Sequence, residues 1–90
     1  MKEKIKTLAE YYKQGKFKIF YVGEDEYKKV KFIKLAQHIA WCWKNKWQIR
    51  EQDIQDIISN ISNGKNSKIW SDCDYYYYIE VVQEMKTWKN

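Results

Sequence analysis

The stretch from Phe32 to Trp47 constrains the fold more than any other part of the chain, because it is the most apolar segment. Its apolar side chains recur at intervals of three and four residues, which is the spacing of one face of an α-helix. The residues that share this spacing are Phe32, Leu35, Ala36, Ile39, Ala40 and Trp43. The pattern predicts a helix that packs against a hydrophobic core, and the rest of the chain must supply that core.

The chain has 90 residues, no proline and only three glycines. A chain of this length is expected to form one compact domain that spans residues 1–90. The scarcity of helix-breaking residues favours helices joined by short connections. The sequence therefore predicts a mostly α fold, a small single domain of three to four helices. The alternative is an α+β fold with a small hairpin at about residues 16–33.

The beginning of the chain contains one helical and one strand-like pattern. Residues 2–14 are amphipathic at helical spacing, and Gly15 is placed to end the helix as a C-cap. Residues 17–22 alternate with a period of two, which is the pattern of a strand. A strand needs a partner for its backbone donors and acceptors. The candidate partners are residues 27–33 and residues 68–70.

Two interpretations of the next segment remain open. In the first, residues 27–33 complete a hairpin, and a helix begins at Ile33. In the second, Asp25 caps one long helix that runs to about Lys46. Both interpretations account for the apolar face described above, and the sequence does not decide between them.

The second half of the chain contains two further helical patterns. The first is a stripe of four isoleucines, Ile54, Ile57, Ile58 and Ile61. The polar residues 59–67 mark the end of this helix and the loop that follows it. A last helix is predicted after Ser71, with an apolar face made of Tyr75, Tyr78, Ile79, Val82 and Met85.

The charge of the chain is positive and unevenly distributed. The net charge is +5, and residues 1–47 contribute +7 while residues 48–90 contribute −2. Such a balance suits an anionic partner, either nucleic acid or an acidic protein surface. Sixteen of the seventeen basic residues are lysines, so that diffuse charge complementarity is favoured over base-specific readout by arginine. The lysines predicted to form a basic, partner-binding face are Lys16, Lys18, Lys28, Lys29, Lys31 and Lys34.

Aromatic residues make up 18 % of the chain, more than a core of this size can hide. Four consecutive tyrosines on a helix span about 300° around its axis, so at least one of them is exposed. The predicted aromatic, partner-binding patch contains Trp70, Tyr75, Tyr76, Tyr77 and Trp88. Its composition is typical of a protein-binding surface or a homodimer contact.

No residue pattern in the sequence indicates catalysis or a cofactor. His38 and Cys42 lie one helical turn apart, and Cys73 is a further potential zinc ligand. Structural zinc sites, however, normally contain closely spaced pairs of ligands, and the sequence has only one such pair. We therefore predict no catalytic residue, no metal and no cofactor. Residues 34–43 and 50–61 also fit the two helices of a DNA-binding helix-turn-helix, but Glu51, Asp53 and Asp56 of the second helix would repel the phosphates.

These features predict a non-enzymatic binding protein that acts stoichiometrically through the lysine-rich face and the aromatic patch. In size, lysine content and lack of a catalytic signature, the chain resembles the small accessory proteins of phages and mobile elements, such as the anti-CRISPR inhibitors; the resemblance is one of general profile. It implies a protein partner that handles nucleic acid. The alternative is a regulator that binds DNA or RNA directly. Without an apolar run of about 18 residues, we expect no membrane contact and a cytoplasmic location.

Overall fold

The computed structural model describes residues 2–47, 49–72 and 74–82, and within these residues the chain forms three helices and four strands. In chain order they are α1 (Lys2–Lys13), β1 (Phe17–Val22), β2 (Tyr27–Val30), α2 (Phe32–Lys44), α3 (Glu51–Ser62), β3 (Ser67–Trp70) and β4 (Tyr76–Val81). The architecture is therefore α+β.

The four strands form one antiparallel sheet with the spatial order β2-β1-β4-β3. The two longest strands, β1 and β4, lie at its centre, and their register pairs Ile19 with Ile79 and Val22 with Tyr76. One short strand flanks this central pair on each side and forms a hairpin with its neighbour. β2 pairs only with β1, and β3 pairs only with β4, so each of these short strands forms an edge among the described residues.

The hydrophobic core lies between one face of the sheet and the three helices. Phe17 and Ile19 of β1 are buried there, as are Tyr77 and Ile79 of β4 and Ile69 of β3. The helices contribute apolar side chains from the faces that their sequence spacing predicted. These buried helical residues are Leu8, Leu35, Ile39, Ile54, Ile57, Ile58 and Ile61.

The prediction of a mostly α fold is wrong, and the last predicted helix is the clearest error. Residues 76–81 form strand β4, in which Tyr77 and Ile79 are buried and their neighbours point away. Tyrosine, isoleucine and valine all favour strands, because such side chains pack well on a pleated surface. The pairing of β4 with the distant β1 fixes the strand, and local periodicity contains no information on that partner.

The hairpin that the alternative interpretation placed at residues 16–33 is present as β1 and β2, and the long helix from Asp25 is wrong. Helix α2 begins at Phe32, directly after Lys31, whose backbone is still extended. The patterns for α1, for β1 and for the isoleucine stripe of α3 are confirmed. Gly15 ends α1 with a positive φ of 73°, a conformation that glycine adopts without steric cost.

Candidate functional site: the open face of the sheet

One face of the sheet packs on the helices, and the opposite face is not covered by any helix within the described residues. We call this second surface the open face. Directly opposed residues of antiparallel strands point to the same side, so the register identifies its members. They are Lys18, Phe20, Val22, Tyr27, Lys29, Lys68, Trp70, Tyr76, Tyr78 and Glu80.

Aromatic rings form two clusters at the two ends of the open face. At the β2 end, the rings of Phe20 and Tyr27 are stacked with centroids 5.0 Å apart and planes within 8° of parallel. At the β3 end, Trp70 meets Tyr76 edge to face at 5.0 Å. Tyr27 is 65 % exposed and Trp70 is 45 % exposed, so both clusters present ring surface to solvent.

Lysines lie among these rings. The ammonium group of Lys68 lies 4.7 Å from the ring centroid of Tyr76 and 5.8 Å from that of Trp70. Lys29 lies opposite Phe20, and Lys18 lies opposite Glu80. The open face therefore carries three cations and one carboxylate, and its charge has the same sign as that of the whole chain.

Asn66 fixes the orientation of Tyr78 in the middle of the open face. Its side-chain amide donates a 2.7 Å hydrogen bond to the Tyr78 hydroxyl, while its carbonyl oxygen accepts a 2.8 Å bond from the backbone N–H of Val81. The loop before β3 is thus tied to β4 at two points. A side chain held in one orientation loses less entropy when it binds a ligand.

The predicted basic face is divided among different surfaces. Lys18 and Lys29 lie on the open face. Lys28 lies opposite Tyr21, on the helix side of the sheet edge, where its ammonium is 3.6 Å from the carboxylate of Glu26.

The remaining predicted lysines lie outside the sheet. Lys16 precedes β1 and holds its ammonium 5.1 Å from the ring centroid of Tyr11. Lys31 is the residue before α2, and Lys34 is exposed in the first turn of that helix. All six predicted lysines are exposed, and Lys18 and Lys29 are the two that belong to the open face.

The predicted aromatic patch is divided in the same way. Trp70 and Tyr76 lie together on the open face. Tyr77 is 6 % exposed and faces the core, and Tyr75 stacks on Tyr21 with centroids 5.3 Å apart. Trp88 lies outside the described residues. The assumption of a helix caused this mixture, because consecutive strand residues point to opposite faces.

Sequence reasoning missed Phe20, Tyr27, Tyr78 and Lys68 as members of this surface. Phe20 belongs to the strand pattern of residues 17–22, and the alternation of that pattern puts Phe20 on the side opposite to the buried Phe17 and Ile19. The other three required the position of β2, β3 and β4 in the sheet. A period of two over residues 76–81 is the signal for Tyr78, whereas the places of Tyr27 and Lys68 follow only from the order of the strands.

His38 and Cys42 are brought together beneath the sheet, as their spacing predicted. The sulfur of Cys42 is 3.5 Å from Nε2 of His38, and this nitrogen is 3.1 Å from the carbonyl oxygen of Trp70. A carbonyl oxygen only accepts hydrogen bonds. Nε2 of His38 therefore carries a hydrogen and donates a hydrogen bond to the carbonyl oxygen of Trp70. Cys42 is fully buried, and this burial raises the pKa of its thiol. A nucleophilic cysteine requires the opposite shift.

The described residues contain no group of three or more His, Cys, Asp and Glu side chains that could hold a metal ion. Cys73, the other potential zinc ligand in the sequence, lies outside them. Among residues 2–47, 49–72 and 74–82, none of the helices has the length and apolar character that crossing a lipid bilayer requires. Comparison of the chain with protein families, curated proteins and solved structures finds no match.

Proposed function

We propose that the protein is a non-enzymatic binding protein whose open face binds single-stranded nucleic acid. The observation that supports this function is the presence of exposed aromatic rings and lysines on a face of the four-stranded sheet that no helix of the described residues covers. Sheets of this kind bind unpaired bases by stacking them on aromatic side chains. Lysines beside the rings supply the attraction for phosphate.

The composition of the open face favours single strands over a duplex. Bases in a duplex stack on each other and do not offer their faces to Tyr27 or Trp70, whereas bases of a single strand do. Its cations, Lys18, Lys29 and Lys68, act as point charges and cannot make the bidentate contacts by which arginine reads guanine. We therefore propose binding with little sequence preference.

The separation of the two ring clusters suits a short oligonucleotide. Neighbouring strands lie about 4.8 Å apart, so β2 and β3 are about 14 Å apart across the sheet. A strand of nucleic acid that crosses the sheet would reach Tyr27 at one side and Trp70 at the other. Val22 and Tyr76 lie between them in the same row of the sheet, and Tyr78, held by Asn66, lies in the neighbouring row.

Fluorescence anisotropy of labelled single-stranded DNA and RNA, with duplexes for comparison, tests this function. Tyr27→Ala and Trp70→Ala should each remove one stacking contact worth about 1 to 3 kcal/mol, a loss of about five- to 150-fold in affinity. Trp41→Ala is the matched control, because Trp41 is 53 % exposed but lies on α2, away from the open face. Circular dichroism confirms that each variant folds.

The salt dependence of binding identifies the phosphate contacts. The logarithm of the affinity should fall linearly with the logarithm of the salt concentration, and Lys29→Gln should reduce the slope by about 0.7. Lys13→Gln, at the exposed end of α1, should leave the slope unchanged. Absence of binding at low salt, or equal losses in the open-face and control variants, would contradict direct nucleic-acid binding.

The second candidate is a stoichiometric inhibitor of a nucleic-acid-handling protein, of the kind encoded by phages and mobile elements. The exposure of Tyr27 and Trp70 favours it, because these residue types dominate the binding energy of protein interfaces. A cytoplasmic location is part of both proposals; the free thiol of Cys42 is compatible with it, because thiols stay reduced in the cytoplasm. An inhibitor would inactivate a purified nucleic-acid enzyme at a one-to-one ratio without binding the nucleic acid. A homodimer contact through the same face would appear as a concentration-dependent mass in light scattering.

A further inference from the structure

A cleft of about 340 Å³ runs between helix α3 and strand β3, at the edge of the sheet. All four residues of β3 line it. Because successive side chains of a strand point to opposite faces, a cleft that contacts four residues in a row must border the backbone edge of the strand. This edge is the side of β3 that pairs with no other described strand.

The register shows which backbone groups of β3 point into the cleft. The N–H of Ser71 donates to the carbonyl of Tyr75, which makes the adjacent pair of Trp70 and Tyr76 a non-hydrogen-bonded pair of the ladder. The pair two positions earlier, Lys68 with Tyr78, is of the same type. The N–H and C=O groups of Lys68 and Trp70 therefore point away from β4.

Three of these four outward groups have no hydrogen-bond partner among the described residues: the N–H and C=O of Lys68 and the N–H of Trp70. The fourth, the carbonyl of Trp70, is bonded to His38. An extended peptide in antiparallel orientation would pair with the three remaining groups. One peptide residue would exchange two hydrogen bonds with Lys68, and the carbonyl two residues before it would accept from Trp70.

The walls of the cleft give this position a side-chain preference. Its floor is apolar and contains Ile54, Ile57 and Ile69. Asp53 and Asp56 are its lining carboxylates. Asp53 lies 3.8 Å from the guanidinium of Arg50, whereas Asp56 accepts a hydrogen bond from the neutral amide of Gln52 and is the carboxylate that a basic ligand would meet. The ammonium of Lys68, which also lines the cleft, lies over the rings of the open face. An acidic cleft on a protein of net charge +5 selects a basic ligand.

The dimensions of the cleft fit about four peptide residues. The helix residues that line it extend from Asp53 to Asn60, about 10 Å along the helix axis, and four strand residues span about 13 Å. Asn60 donates a 3.0 Å hydrogen bond to the hydroxyl of Ser67 and thereby ties α3 to β3 at one end of the cleft. Two side chains of such a peptide would face α3, one over the isoleucines and one beside the carboxylates.

From these contacts we infer that β3 and α3 form a docking groove for an extended peptide of a partner protein, which adds to the sheet as a fifth strand beside β3. The peptide carries an apolar side chain and, two residues away, a lysine or arginine. The groove uses the backbone edge and α3, so it is separate from the side chains of the open face, and a peptide and a single-stranded nucleic acid can occupy the protein together.

Amide hydrogen exchange measured by nuclear magnetic resonance tests this inference. The probe is a blocked heptapeptide of sequence TTVTKTT, added to the 90-residue protein. The peptide should slow exchange of the N–H groups of Lys68 and Trp70 by at least about tenfold, because they gain a partner. The N–H of Ile69 already points to β4 and should change little. Protection of all three amides equally, or of none, overturns the assigned geometry.

Matched peptides and variants test the chemistry of the groove. The sequence TTVTETT should bind more weakly than TTVTKTT, and Asp56→Asn should lower the affinity for the lysine peptide by about two- to fivefold, as expected for an exposed ion pair. The control is Asp25→Asn, in the exposed turn between β1 and β2. A peptide methylated on its central amide nitrogens should not bind. Binding that survives this methylation overturns the addition of a strand.

A second copy of the protein is the competing occupant. In that case the N–H groups of Lys68 and Trp70 would already exchange slowly in the absence of peptide, and their exchange would slow further as the protein concentration rises. This result would overturn the inference of a partner peptide. Analytical ultracentrifugation over the same concentrations identifies it, since the mass would exceed that of the 11.1 kDa chain.

Discussion

The two faces of the sheet are built from the same strands but differ in almost every property. On β1 and β4, Ile19 and Ile79 point to the helices and are fully buried, while their neighbours Phe20 and Tyr78 point to the open face. The inner face excludes water and supplies the core. The open face carries aromatic rings and lysines that are not part of the core. Stability and the proposed binding are therefore assigned to alternate residues of one strand, and substitutions can test each of them separately.

The largest effect is expected on the inner face. Ile79→Ala should lower the free energy of unfolding by about 2 to 5 kcal/mol, because it leaves a cavity in the closely packed core. Its neighbour Glu80→Ala, on the open face, should change it by less than about 0.5 kcal/mol. Urea denaturation followed by circular dichroism measures both. Similar losses in the two variants would show that the open face is also part of a buried interface.

A smaller effect concerns Tyr77, whose ring is buried in the core and only 6 % exposed. Burial raises the pKa of Tyr77 above its ordinary value of 10.0, and the nearby Tyr21 and Cys42 raise it further. Above pH 10 the unfolded chain loses this proton while the folded protein keeps it, so the free energy of unfolding falls as the pH rises.

Replacing this phenol should remove its part of the alkaline instability. Tyr77→Phe is expected to make the decline in stability above pH 10 shallower and to have little effect near pH 7. Urea denaturation between pH 7 and pH 11 measures the slope. Tyr27→Phe, on the open face, is the control and should keep the wild-type slope; a variant at Tyr77 that follows the same curve would contradict the burial of its hydroxyl.

The smallest effect is expected from the cation above the rings of the open face. Lys68→Gln removes the cation–π contacts with Trp70 and Tyr76, which contribute about 0.5 to 1 kcal/mol at an exposed site. Thermal unfolding measures the loss, and Lys6→Gln, at an exposed position in the middle of α1, is the control. The fluorescence of the variant should also report a changed surrounding for Trp70. If Lys68→Gln and the control variant are equally stable, the ammonium of Lys68 contributes nothing through its contacts with the two rings.

The sequence allowed the helices to be predicted better than the sheet, for a physical reason. The apolar spacing of α3 is local, and its four isoleucines are all buried as predicted. The last strand is ambiguous, because residues 75, 78, 79 and 82 fit a helical face while residues 77, 79 and 81 fit a strand face. The decision comes from β1, and the sequence does not state that pairing.

The same non-local pairing limits what could be predicted of the site. Charge and composition predict Lys18, Lys29, Trp70 and Tyr76 as binding residues, and this role stays a prediction. That they share one surface follows only from the order of the strands, since β1 and β4 bring together two distant parts of the chain. Composition can identify the kinds of residue in a site of this type, and the sheet determines which of them act together.

The central position of β1 and β4 also determines the order in which the protein can fold. The β1–β2 and β3–β4 hairpins join segments close in sequence and can form early, but each alone is a two-stranded ribbon of marginal stability. Pairing of β1 with β4 must close a loop that contains β2, α2, α3 and β3. This closure is slow, because the conformational entropy of the loop is lost before the contacts between β1 and β4 form. We expect cooperative folding limited by this closure, with β1 left without its central partner until β4 has been synthesised.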